Sequence, residues 1–302
     1  VENDTALLRN GGSTTIAPLT NDFDPSGGIL VLQSVKTPPD SGVTVTVVDH
    51  SLLQISAAST VPANLTVEYT VTNGTSSATG KVAIVPVTQS QPQPPVVTND
   101  TAVVRAGDVV TASVLDNDSS PAGLNLSVDS QVSLVGDELG TAWVSENTVR
   151  FRAGNQPGRT SYAYTAKDDQ GQTASGVLTV EVRAQDAEHN SAPSPRNLEA
   201  RTLAGSTTNI TVPLDGIDPD GDSVSLVGLN QAPSLGSVEI NSSWLTYTPS
   251  EGATGTDTFT YVVEDRFGAQ ATGTVRVGVA QASPLNVAPV ATDDLVVAKP
   301  GR

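Results

Sequence analysis

The sequence predicts an all-β chain of tandem β-sandwiches, about seven strands each, arranged end to end. Three observations predict it. The sequence repeats itself at intervals near 97 residues, its apolar residues alternate with a period of two, and its composition is rich in Val, Thr, Ser and Gly. Only 4% of the 302 residues are aromatic and 16% are charged, so aliphatic and β-branched side chains must supply the cores.

The repetition comes first because it sets the number of units. Asn3-Asp4-Thr5-Ala6 returns 96 residues later as Asn99-Asp100-Thr101-Ala102. Tyr69, Tyr164 and Tyr261 are separated by 95 and 97 residues, and Gly80, Gly176 and Gly273 by 96 and 97. Several landmarks in one register cannot come from composition alone. They divide the chain into repeats at 1–90, 91–186 and 187–283, with a linker and the opening of a fourth repeat at 284–302. The junctions carry linker chemistry: Gln91-Pro92-Gln93-Pro94-Pro95, Ala192-Pro193-Ser194-Pro195 and Ala288-Pro289 are Pro-containing and short, which favours extended, semi-rigid backbone.

Within each repeat the strands follow from alternation. Phe259, Tyr261 and Val263 share one face of a run, as do Val275, Val277 and Val279; Val67/Tyr69/Val71 and Tyr162/Tyr164/Ala166 are the matching stripes. In the third repeat, β-branched runs bounded by Gly, Pro, Asn and Asp fall at 198–203, 207–213, 223–229, 236–241, 244–248, 256–264 and 270–280. Seven short strands in this length fit an immunoglobulin-like sandwich.

Charge and composition exclude several classes. The 15 Lys+Arg face 32 Asp+Glu, a formal net charge of −17, which opposes binding to nucleic acid or to anionic lipid. With no Cys there is no disulfide framework, thiolate zinc site or Cys nucleophile. No apolar run approaches the ~18 residues of a membrane span, so no direct membrane insertion is expected in this segment. The first residue is Val and no basic leader precedes an apolar stretch, which reads as an internal piece of a longer chain.

The third repeat carries Ile217-Asp218-Pro219-Asp220-Gly221-Asp222, then Leu245-Thr246-Tyr247-Thr248-Pro249, then Gly255-Thr256-Asp257-Thr258-Phe259-Thr260-Tyr261-Val262-Val263-Glu264-Asp265. The second keeps Tyr164-Thr165-Ala166-Lys167-Asp168-Asp169, and the first keeps Asn21-Asp22-Phe23-Asp24-Pro25. These stretches resemble the cadherin-like, Ig-like tandem repeats of large bacterial cell-surface proteins of the adhesin type. The resemblance covers nearly the whole chain. It implies an extracellular, cell-surface location and a role as stalk or adhesive array, with other repeats of the same longer chain as the first partners.

Acidic loops are the only constellation with metal-ligand character. Ca²⁺ takes six to eight oxygen ligands, and carboxylates two residues apart in a tight loop can converge on one ion. Asp218, Asp220 and Asp222 have that spacing. Similarity to cadherins implies that their loop and the turn holding Asp265 form the lower half of an inter-repeat Ca²⁺ site, with Asp186 of the linker as a further ligand. Residues 153–161, where a cadherin supplies acidic ligands from above, contain none. A weaker set is Asp116, Asp118, Asp168 and Asp169. The competing explanation is that Asp, Gly and Pro are good turn formers.

The three repeated tyrosines sit on inward stripes and read as core or tyrosine corners. His50 and His189 occupy non-equivalent positions without a motif partner, so no catalytic role attaches to them. Trp143 and Trp244 alternate with inward neighbours and are expected on the surface, where an indole can stack on a sugar ring or a partner protein.

Two functions remain. The first is a structural stalk or spacer, stiffened by Ca²⁺ and without chemistry of its own. The alternative is an accessory module that binds a glycan or a surface protein through Trp143 and Trp244. No triad, paired-carboxylate cleft or phosphate loop points to an enzyme. Short linkers predict an open rod about 120 Å long, with a radius of gyration near 35 Å rather than the roughly 19 Å of a compact body.

Overall fold

The structure is a computed structural model, and it describes residues 1–87 and 93–282; the proposed opening of a fourth repeat lies outside the described residues. The first repeat contains β1 (Asp4–Arg9), β2 (Ser13–Ile16), a 3-10 turn at Pro18–Thr20, β3 (Val31–Lys36), β4 (Val43–Val48), β5 (Leu52–Ala57), β6 (Leu65–Thr72) and β7 (Ser77–Val87). The second contains β8 (Asp100–Arg105), β9 (Val109–Ala112), β10 (Leu126–Val128), β11 (Ser133–Leu134), β12 (Gly140–Ser145), β13 (Thr148–Ala153), β14 (Gly158–Asp168) and β15 (Thr173–Arg183). The third contains β16 (Leu198–Leu203), β17 (Thr208–Thr211), β18 (Val224–Gln231), β19 (Gly236–Ile240), β20 (Trp244–Pro249), β21 (Gly255–Asp265) and β22 (Gln270–Ala280). All seven strands expected in the third repeat are present, within three residues at every end.

Each repeat folds into two sheets over its own core. In the third repeat they run β16-β22-β21-β18 and β17-β20-β19, and the other two repeats use the same order. The first strand of each repeat pairs in parallel with the last, as in Leu198 opposite Val275. This places the start and end of a repeat at opposite ends of the sandwich, so the next repeat must begin where the previous one stops. The three cores are separate clusters, dominated by Val, Leu and Ile around a few buried rings.

The repeated Tyr and Gly landmarks have one physical cause. Tyr69, Tyr164 and Tyr261 lie directly across the sheet from Gly80, Gly176 and Gly273. Each ring lies over its glycine, and a Cβ there would collide with the ring carbons. The phenol of Tyr164 reaches Asp100 Oδ2 at 2.9 Å and the Val114 carbonyl at 3.1 Å; Tyr69 reaches Asp4 Oδ2 at 2.8 Å. All three rings are 0–1% exposed, which bears out the core reading.

Repeats meet end to end, yet they do not form the open line expected from the linkers. The N-terminal loops of the first repeat rest on the C-terminal end of the third, where the Ile29 N–H donates to Thr256 Oγ1 at 2.8 Å. Ile29 of that loop and Val31, the first residue of β3, lie outside the first repeat's own core and offer apolar surface to this contact.

Candidate metal centre at the junction of the second and third repeats

The loop before β18 and the turn between β21 and β22 lie together at one end of the third repeat and face the C-terminal end of the second. Local turn chemistry shapes both. Asp218 Oδ1 accepts the N–H groups of Asp220 and Asp222 at 2.9 and 3.0 Å. Asp265 Oδ1 does the same for Phe267 and Ala269 at 2.8 and 2.9 Å. Gly221, between the clustered aspartates, has φ +82°, and its carbonyl accepts the Arg105 N–H at 2.8 Å. A Cβ at Gly221 would fall 2.7 Å from the Val104 backbone, so only glycine lets the two repeats approach this closely.

The aspartates are both structural and electrostatically unsettled. One carboxylate oxygen from each of Asp218, Asp220 and Asp222 lies within 4.8 Å of those of the other two, and among the described residues no other three acidic or His side chains converge in this way. Asp218 and Asp222 are each 6% exposed. Burial pushes both carboxyls above the usual range, only partly offset by backbone N–H groups at Asp218 and by Arg105 at Asp222. Asp220 is held below that range, chiefly by the Ser191 N–H that it accepts at 2.7 Å, with Arg105 and Arg183 adding to the effect.

A buried arginine from the second repeat reaches into this cluster. Arg105, 4% exposed, places Nε 3.2 Å from Asp222 Oδ2 and Nη2 3.6 Å from Asp220 Oδ1. Its Nη1 donates to the Ala184 carbonyl at 2.6 Å, which fixes the guanidinium plane. Arg183 donates to the Pro219 carbonyl at 2.7 Å and lies 3.8 Å from Asp220. On the same junction Arg266 pairs with Asp108 at 2.7 Å, and Asp108 accepts the Ser223 N–H at 3.2 Å. Six contacts of this kind tie the second repeat to the third.

The residues also fit a divalent cation. Asp218 Oδ2, Asp222 Oδ1 and Asn190 Oδ1 are buried oxygens without a hydrogen-bond partner. Asn190 sits in the linker and anchors to Asp265 Oδ2 through its Nδ2 at 2.6 Å, so its free oxygen belongs to the same locality. Arg105 pairs with Asp220 and Asp222 and Arg183 with Asp220, whereas Asp218 pairs with neither arginine. Hard oxygen donors of this type suit Ca²⁺.

The other expected site residues are distributed differently. Asp118 accepts from the Thr98 N–H at 2.8 Å and from the Tyr164 phenol at 3.3 Å. Asp168 ties its own turn through the N–H groups of Gln170 and Gln172, leaving a buried Oδ2 unpartnered. Asp169 binds Asn125 at 3.1 Å, and Asp116 joins neither group. The carboxylate of Asp186 caps its own turn and pairs with His189 at 3.0 Å instead of joining the cluster. Its place in the linker is taken by Asn190. In the first repeat, Asp24 is satisfied by Ser26, Gly28 and Asn73, so that loop needs no cation.

Trp143 and Trp244 are 36% and 40% exposed, as their alternation predicts. Trp143 faces Arg150 across β12 and β13, with the guanidinium carbon 5.8 Å from the ring centroid. His50 spends its Nδ1 on the Leu32 carbonyl at 3.0 Å.

No local motif in the sequence marks the partners of these aspartates, Arg105, Arg183 and Asn190, or the Arg266–Asp108 pair beside them. One signal was available: Arg9 and Arg105 share a register 96 residues apart, at the end of the first strand of successive repeats. Arg9 lines an open polar crevice of about 410 Å³ together with Asp169 of the second repeat. Arginines at the C-terminal end of a repeat and aspartates at the N-terminal end of the next are thus a recurring polarity.

The family model for the bacterial Ig domain matches residues 1–85, 92–181 and 190–278. No curated protein matches the chain. Among solved structures, an endo-fucoidan hydrolase of glycoside hydrolase family 107 is 16% identical, with 92% of this chain and 43% of that chain covered, at a TM-score of 0.30. The chain therefore spans less than half of that hydrolase. Sidekick-1 immunoglobulin domains 1–4 are 13% identical over 92% of this chain and 72% of theirs, at a TM-score of 0.37. Drosophila N-cadherin EC1-4 is 13% identical over 91% and 73%, at a TM-score of 0.23. No helix among the described residues is long and apolar enough to cross a membrane.

Proposed function

The chain belongs to the bacterial Ig-domain family, as three tandem copies, and from this we propose that it is a spacer segment of a bacterial surface protein. The observation that carries the reading is the buried Arg105–Asp222 contact, which joins two repeats into one mechanical unit. A spacer needs joints that hold their angle, and a desolvated ion pair backed by Arg183, Arg266 and the Gly221 backbone resists bending as a flexible linker does not.

Calcium belongs to the same proposal. Asp218, Asp222 and Asn190, with Asp220 alongside, would hold the ion, and its charge would offset the burial that now disfavours ionised Asp218 and Asp222. Extracellular modules bind Ca²⁺ at about 10⁻⁴–10⁻³ M. At ~2 mM Ca²⁺ and a constant near 10⁻⁴ M, one site stabilises by about 1.8 kcal/mol, a melting shift of roughly 7–14 °C for a domain of this size. Calorimetry of the chain in Ca²⁺ and in EDTA tests this. Asp218→Ala with Asp220→Ala abolishes the shift; melting curves of the unchanged chain that coincide in both buffers refute calcium binding.

A second reading, glycan or protein binding, is favoured by the exposure of Trp143 and Trp244. Titration with glycans should then quench or shift indole fluorescence, and a flat titration removes it.

A further inference from the structure

The C-terminal end of the third repeat is already covered. Ile29 and Val31 are 4% and 0% exposed, although neither belongs to the core of its own repeat. Both side chains pack on Gly278 of β22, and a Cβ there would sit 2.8 Å from a methyl of each. Backbone groups flanking this apolar contact are satisfied across the interface. Thr256 Oγ1 accepts the Ile29 N–H at 2.8 Å, Arg201 Nε donates to the Leu30 carbonyl at 2.7 Å, and Arg276 donates to the Gly27 carbonyl. The polarity repeats that of the junction between the second and third repeats, with arginines from one end meeting the loop that follows an Asp-Pro pair.

We propose that the C-terminal end of the third repeat is a docking face for the N-terminal end of an Ig repeat, and that the first repeat of the same chain occupies it. Closed body and open rod are then two states of one chain. Occupation within the chain is favoured because linked modules meet at effective concentrations near millimolar, far above those at which separate copies meet in dilute solution. Gly278 is the specificity position. Its neighbours Val275, Val277 and Val279 point into the core of the third repeat, so the outward position 278 is kept free of a side chain only for what lies on it. For a spacer the consequence is two lengths, short when the contact is made and about 120 Å when it opens.

Small-angle scattering with light scattering on the whole chain tests this. The unchanged chain should have a radius of gyration of about 20 Å at the mass of one copy, 30.9 kDa. Gly278→Glu, and independently Ile29→Asp, should raise it toward about 35 Å while each repeat still melts cooperatively. A value near 35 Å for the unchanged chain overturns the proposal, as does a value that neither substitution moves. A mass of two copies also overturns it, because the face would then be taken by a second molecule. These failures leave the spacer reading standing, since that reading falls only if the contact between the second and third repeats does not hold.

Discussion

Replacing Arg105 by Met removes a buried charge and keeps the apolar stem. In the native chain its guanidinium sits 3.2 Å from Asp222 Oδ2, with 5% and 0% of the two side chains exposed. Removing one partner of a buried pair costs about 3–5 kcal/mol, because the remaining charge is left without compensation. For a unit of this size each kcal/mol is worth about 4–8 °C, so the third repeat should melt at least ~12 °C lower at pH 7. The pH dependence carries a second signature. The carboxyls of Asp218 and Asp222 are pushed up by burial, so the stability they contribute is present below the ordinary aspartate range and is lost as pH rises through their folded values. Without Arg105 that loss deepens, and the deficit of Arg105→Met should be largest at neutral pH and shrink toward pH 4. Added Ca²⁺ should restore part of it. Calorimetry from pH 4 to 8 measures all three effects. A loss below about 4 °C at pH 7, or one that does not change with pH, refutes the assignment of Arg105 as the cation of this junction.

Other expectations are narrower. The phenols of Tyr69 and Tyr164 are pushed up, first by burial and then by Asp4 and Asp100. Their contribution is complete below the ordinary tyrosine value near 10 and is lost as pH rises above it, so alkaline titration should unfold these two repeats, and Tyr→Phe at both sites should flatten the decline. Gly176→Ala drives a methyl into the Tyr164 ring and should cost about 1–3 kcal/mol by urea denaturation, whereas Gly205→Ser, with open space around it, should show only the penalty of its left-handed backbone. Acrylamide should quench Trp244 efficiently in a Trp143→Phe background; a protected, blue-shifted spectrum would contradict its exposure.

Fold and site were legible in the sequence to different depths. Alternation placed every strand of the third repeat, because a sandwich strand buries one face and its period of two is written directly in residues such as Phe259, Tyr261 and Val263. The Tyr and Gly landmarks gave the period but not its cause, which is the ring of Tyr261 lying over Gly273. The acidic loop was visible as Asp218, Asp220 and Asp222, since ligand spacing is local. Its partners were not, because Arg105 lies 117 residues away from Asp222 and becomes a neighbour only when two repeats meet. The same limit hid the contact of Ile29 with Gly278. Linker composition argued for an open rod, but it carries no information about apolar surface on a distant loop.

On this reading Arg105 holds the second and third repeats as one rigid unit. Because the chain has no cysteine, spin labels can be placed cleanly on Thr141→Cys and Ser237→Cys, both exposed and in different repeats. Pulsed dipolar spectroscopy then reads the distribution of distances between them. A single narrow distribution is expected in the unchanged background and a broad one when Arg105→Met is added. A distribution that is already broad with Arg105 in place refutes a rigid junction.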